Sequence, residues 1–236
     1  MNDDVKNPLA ELEEILGYKF KDPEILNRAL RHGSSVASDF AGSYQRLEFL
    51  GDAVLGYAVA RILFDRFPAD DQGDLTRKRT HLVRSERLAE RAALLGLDGW
   101  VDVGQSLERG GGRESTNLLE DVFEAVIGAI AIDGGWREAR AFIERQLGDE
   151  VDGLDERTLA LANPKSALQE AAQAAGLPLP EYKLIRKGGT DHLRKWVYTV
   201  TWNDEEVARG EGRSKRGAQQ RAARRALVRL GLVPEE

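Results

Sequence analysis

The stretch QRLEFLGDAVLGYAVARILFDRF, Gln45–Phe67, is apolar almost all the way round a helix, yet it carries Glu48 and Asp52 near its start. After Asp52 no charge appears until Arg61. A second stretch, STNLLEDVFEAVIGAIAID (Ser115–Asp133), repeats the arrangement with Asp121 and Glu124, and after Glu124 the next charge is Asp133. Helices this apolar belong in a core, where an ionised carboxylate without a partner costs several kcal/mol. No nearby run of Lys or Arg supplies the cations, so bound metal is the economical reading. The i,i+4 spacing of Glu48 and Asp52 and the i,i+3 spacing of Asp121 and Glu124 each stack two side chains on one face. If the two helices pack together, four carboxylates converge in one acidic cleft. Taken singly, either pair reads more plainly as salt-bridged core or a solvated stripe.

Oxygen-only ligation selects Mg²⁺ or Mn²⁺ over Zn²⁺. The chain has no cysteine, and His32, His81 and His192 show no ligand spacing, which argues against a zinc or di-iron centre. Clustered carboxylates holding Mg²⁺ suit phosphoester hydrolysis. A further acidic string, Asp70, Asp71 and Asp74, has the DDxxD form that holds diphosphate-bound Mg²⁺ in terpenoid synthases. It follows Phe67-Pro68 at a helix break and reads as a solvated loop.

Outward from these stretches the pattern is helix after helix as far as about Gly148. Pro8–Leu16 and Pro23–Leu30 open on proline, Tyr44–Phe67 is stopped by Pro68, and Leu75–Leu95 by Gly96. Glu108–Glu114, with three glycines, reads as a flexible loop, and Trp136–Leu147 as a last helix. Asp149–Ala162 is acidic, then mixed, and reads as a junction. Beyond it the period changes: Pro164–Ala175 is helical, while Glu181–Arg186, Leu193–Trp202 and Glu206–Arg213 are strand-like. Lys187–Gly189 and Asn203–Asp204 fall where turns are needed, and Ser214 caps a helix over Lys215–Leu230. The expectation is an all-α domain over 1–150, a linker over 151–162 and a small α+β domain of order α-β-β-β-α over 163–236.

Composition sets limits on this reading. A length of 236 residues suits two domains, and the lack of cysteine suits a reducing compartment. MNDDVKNPLAELEE is not a secretory signal, and Ala125–Ile132, the longest apolar-or-Gly run, is too short for a bilayer. The expectation is a cytoplasmic protein with no membrane association. Residues 158–236 hold 14 Lys and Arg against 9 Asp and Glu, whereas 1–157 hold 20 against 31. An acidic front and a basic back suggest that one part collects cations and the other an anionic polymer.

RLEFLGDAVLG (Arg46–Gly56) closely resembles the signature of the ribonuclease III family, and DVFEAVIGA (Asp121–Ala129) resembles its second acidic motif. ALRHGS (Ala29–Ser34), GDLTRKR (Gly73–Arg79) and GGRES (Gly111–Ser115) align with further landmarks, and the likeness runs through the tail. The resemblance implies a dimeric, Mg²⁺-dependent endonuclease cutting double-stranded RNA to 5′-phosphate and 3′-hydroxyl ends with short 3′ overhangs. Mn²⁺ would substitute, and no organic cofactor is implied. Glu48, Asp52, Asp121 and Glu124 match the metal-binding acids, Glu124 and Asp52 the catalytic positions, and Phe49 the dimer interface. Ribosomal and messenger RNA processing is the role expected from the family. Two departures stand out: Gln45 and Gln72 occupy positions usually held by Glu, exchanging a carboxylate for an amide. They lend some support to an alternative, a catalytically silent double-stranded-RNA-binding protein of the same fold; the intact quartet opposes it.

Residues 163–233 resemble a double-stranded-RNA-binding domain, which reads A-form shape across two minor grooves and the phosphates between. Gln169 and Glu170 match the contacts to one minor groove, His192 the residue entering the next, and Lys215 and Arg216 the phosphate cluster at a helix N-terminus. Arg221, Arg224 and Arg225 read as a solvated helix face. Tyr182, Trp196, Tyr198 and Trp202 read as strand core rather than base-stacking platforms.

Overall fold

The computed structural model of the chain describes residues 9–36, 41–188 and 195–234. The chain divides into two compact units, Met1–Asp152 and Gly153–Glu236. The described residues of the first unit form α1 (Ala10–Leu16), α2 (Pro23–Ala29), α3 (Gln45–Arg66), α4 (Gln72–Leu82), α5 (Ser85–Leu94), α6 (Gln105–Arg109), α7 (Thr116–Gly134) and α8 (Trp136–Asp152). Caps are supplied locally. Asp22, ahead of Pro23, accepts from the Glu24 amide at 3.0 Å, and Ser115 accepts from the Leu118 amide at 3.3 Å.

Helices α3 and α7 form the centre of the unit, with the most extensive packing of any pair. Their backbones meet at two glycines. A Cβ on Gly51 would stand 1.8 Å from the Glu124 carbonyl oxygen, and one on Gly128 would stand 2.1 Å from that of Leu47. Only glycine permits this crossing, because a close-packed core has no slack for a methyl group there. From Val122 to Ile130 every residue of α7 except Glu124 is buried. The other long helix differs from expectation: on α3, Phe49, Tyr57 and Phe64 are 81%, 60% and 64% exposed. Composition could not separate the two cases, since an apolar stripe facing outward has the same residues as one facing inward.

Three local expectations need correction. Leu75–Leu95 is two helices rather than one, broken at Val83 and Arg84, where Arg84 is extended. The break turns Leu88, Ala89 and Ala92 inward without disturbing the helical spacing of apolar residues, so no sequence signal marks it. The Gly-rich stretch is pinned by Arg113. Its guanidinium donates to the carbonyls of Asp98 and Val101 at 2.9 and 2.5 Å and to the Glu108 carboxylate at 2.7 Å. The acidic string is structural: Asp70 pairs with Lys78, Asp71 caps α4 at the Asp74 amide, and Asp74, inside the helix, pairs with Arg77.

The second unit begins with α9 (Glu156–Ala162), which occupies most of the span expected as linker, and continues with α10 (Pro164–Ala174). Ala160 and Leu161 pack on this unit's core around Leu168, Val200, Ala222 and Leu227. The sheet is antiparallel in the order β1 (Tyr182–Gly188), β2 (Lys195–Trp202), β3 (Glu205–Gly212), followed by α11 (Lys215–Arg229). The expected turn at Asn203 and Asp204 has φ of 50° and 63°, the left-handed pair of a tight hairpin, which Asn and Asp tolerate. Tyr198 is buried, and Tyr182 and Trp202 pack against the core. Trp196 is half-buried, stacked on Tyr198 with ring centroids 6.4 Å apart.

Candidate active site and nucleic-acid interface

The crossing at Gly51 and Gly128 sets Glu48 and Asp52 of α3 beside Asp121 and Glu124 of α7. Glu48, Asp121 and Glu124 are half-buried and Asp52 is exposed, so the quartet is open to solvent rather than sealed in the core. Their proximity is visible in their charges. Burial, then the charges of Asp52, Glu120, Glu48 and Asp121, push the Glu124 carboxyl up to about 8. Burial, then Asp121, Glu120 and Asp52, push Glu48 up to about 7. Burial also raises Asp121, against the lowering effect of a hydrogen bond from Tyr44 and of nearby His32. That bond, from the Tyr44 hydroxyl to Asp121 Oδ2, is 2.9 Å long, and the His32 ring lies edge-on to Tyr44 at 5.6 Å.

Glu120 belongs to the same cluster, and the sequence reading missed it. It lies one turn before Glu124 on α7, and burial raises it while the Ser85 side chain opposes this by hydrogen bonding. The i,i+4 spacing to Glu124 was the signal available. Among the described residues, no three His, Asp or Glu side chains are drawn close enough to hold an ion in common. The acids are neighbours across the α3–α7 crossing, not a preformed coordination shell. As a donor set they fit a hard divalent cation: all oxygen, mutually repelling, and with no Lys or Arg among the groups that shift them.

Phe49 projects from α3 into solvent. Gln45 opens α3 and Gln72 opens α4, both exposed. In the second unit Gln169 and Glu170 lie exposed on α10, and Lys215 and Arg216 lie exposed in the first turn of α11, behind the Ser214 cap. His192 lies outside the described residues. Arg221 and Arg225 are not merely a solvated face, because their guanidinium groups donate to the carbonyls of Glu211 and Arg209 at 2.5 and 2.9 Å.

A carboxylate-lined helical unit joined to an α-β-β-β-α module defines a class, a hydrolytic domain carrying its own binding domain. Comparison with known proteins specifies it. The ribonuclease-III-like family model matches residues 22–151, and the double-stranded RNA binding motif matches residues 164–230. Ribonuclease 3 of Solibacter usitatus is 42% identical over 235 residues, covering 94% of this chain and 86% of that one. Ribonuclease 3 of Azorhizobium caulinodans is 41% identical over 228 residues, covering 96% of each. A crystal structure of the Campylobacter jejuni ribonuclease III nuclease domain superposes with a TM-score of 0.57 at 35% identity, covering 65% of this chain and 99% of that one. The chain belongs to the ribonuclease III family. It is an endoribonuclease with a double-stranded-RNA-binding domain. Among the described residues no helix is long and apolar enough to cross a membrane.

Proposed function

We propose that the α3–α7 crossing binds Mg²⁺, or Mn²⁺ in its place, through Glu48, Asp52, Asp121 and Glu124, and hydrolyses double-stranded RNA there. The products have 5′-phosphate and 3′-hydroxyl ends with short 3′ overhangs. The observation that carries this reading is the mutual repulsion of acids with no Lys or Arg among the groups that shift them. When bound, the metal supplies Lewis acidity toward the phosphate and a water that ionises near neutral pH. Glu124 and Asp52 are the catalytic acids. Tyr44, donating to Asp121, orients that carboxylate and favours its ionised form against the effect of burial. Gln169, Glu170 and His192 meet the minor grooves of the duplex, and Lys215 and Arg216 its phosphates.

The exposed stripe Phe49, Tyr57 and Phe64 is the surface on which a second copy sits, giving a homodimer. Burying each ring would contribute about 2 kcal/mol. A structure of the Campylobacter jejuni nuclease domain describes a flexible region involved in dimer formation, which supports this reading. Processing of ribosomal and messenger RNA in the cytoplasm is the role these properties suit.

The test is incubation of a labelled duplex with each metal, followed by end-group analysis. Mg²⁺ should give the stated ends. Ca²⁺ should support binding without cutting, because it holds oxygen ligands loosely and activates water poorly. Glu124→Gln should bind duplex in Mg²⁺ and leave it intact. Equal loss of binding and cutting in that variant, or brisk cutting in Ca²⁺ alone, overturns the assignment.

A further inference from the structure

Three arginines of α11 lie at successive i,i+4 positions, and each donates to a carbonyl of β3. Arg221 reaches Glu211 at 2.5 Å, Arg225 reaches Arg209 at 2.9 Å and Arg229 reaches Val207 at 2.8 Å. The acceptors are alternate residues in descending order, so helix and strand run antiparallel. Four helical residues rise about 6 Å and two strand residues about 6.6 Å, so the rungs stay in step from Arg221 to Arg229, the last at the β3 bulge that leaves Val207 out of register with β2. Among the described residues β3 pairs with β2 alone, so carbonyls on its other side have no partner strand there. The helix lies close enough to reach them because Gly210 and Gly212 leave room for it. A Cβ on Gly210 would stand 2.2 Å from the Ala218 carbonyl oxygen, and one on Gly212 would stand 2.6 Å from the Ala218 amide nitrogen. The glycine contacts fix the spacing of helix and strand, and the three arginine bonds add directional links along it.

We propose that Arg221, Arg225 and Arg229 are positioning residues for duplex binding: they lock α11 along β3, and so aim the Lys215–Arg216 turn, without contacting phosphate themselves. This rests on the reading above that Lys215 and Arg216 meet the RNA backbone. A slide by one residue would move the α11 N-terminus about 1.5 Å and break all three rungs together.

The test uses the full-length protein and an RNA duplex in Ca²⁺, with the dissociation constant measured across salt concentrations. Replacing all three arginines by Met keeps the aliphatic stems and removes the donors. Affinity should fall about tenfold through lost preorganisation, with the log–log salt slope unchanged. In Mg²⁺, KM should rise while kcat at saturating duplex holds, and in the single-site series Arg225→Lys should recover most of what Arg225→Met loses. A slope smaller by about two or three would make the arginines phosphate contacts and overturn the proposal, as would unchanged affinity in a folded variant. If the triple variant does not fold, Arg225→Met alone is read the same way. Arg216→Gln tests the underlying reading separately and should lower the slope. If it does not, hydrogen exchange of the α11 amides still decides the ladder: faster exchange in Arg225→Met supports it, and unchanged exchange overturns it.

Discussion

Glu48 and Glu124 make the metal-free enzyme sensitive to pH in a direction that can be worked out. Their carboxyls titrate near 7 and 8 in the folded protein, against an ordinary value of 4.5, because burial and neighbouring acids disfavour the ionised form. The folded state therefore holds these protons more tightly than the unfolded state. Their contribution to stability is complete below the ordinary value and is lost as pH rises through about 7 and 8. A divalent cation reverses the trend, since the ionised carboxylates are the ligands. In EDTA the melting temperature should fall between about pH 5 and pH 8.5, and added Mg²⁺ should raise it more at the higher pH. Calorimetry across that range checks both, and a flat profile in EDTA with equal Mg²⁺ effects would contradict the coupling. Each pair of acids was legible in the sequence because helical spacing alone aligns it, whereas their meeting depended on how α3 and α7 pack. Glu120 was equally visible by spacing, but it lies at the polar start of its helix, where an acid needs no explanation.

The α3–α7 crossing depends on two residues with no side chain. Gly51→Ala should cost about 3 kcal/mol, because the new methyl must displace the backbone of Glu124, and cutting should fall with it as the acid pairs separate. Gly148→Ala in α8 has no atom within 4 Å of the added Cβ, so it should be neutral or stabilise by about 0.5–1 kcal/mol. Denaturant unfolding of the two variants measures both, and similar values would refute the close-contact argument. Helix positions, strand order and the hairpin turn were readable from period and turn chemistry. The split between α4 and α5 was not, because Ser85 resumes the helix after only two non-helical residues and the apolar spacing continues.

For the whole molecule, charge is divided between the units: the first is acidic, while residues 158–236 are basic. A chain ending at Asp152 should bind duplex far more weakly at physiological salt yet still cut at low salt with Mg²⁺. Filter binding and cleavage assays over a salt series check this. Binding as tight and as salt-sensitive as that of the full chain would show that the second unit is not the one that holds RNA.

The sequence by itself determined the two-part architecture, the order of the strands and of most helices, and which acids share a helix face, because these follow from local periodicity and from charge that an apolar helix cannot leave unexplained. Only the tertiary structure decided which face of α3 looks outward, that Arg221 and Arg225 serve the sheet, and that the acids of α3 and α7 come together with Glu120 and Tyr44 beside them. Those outcomes depend on which surfaces meet across long stretches of chain. A side chain carries no local mark of its partner there.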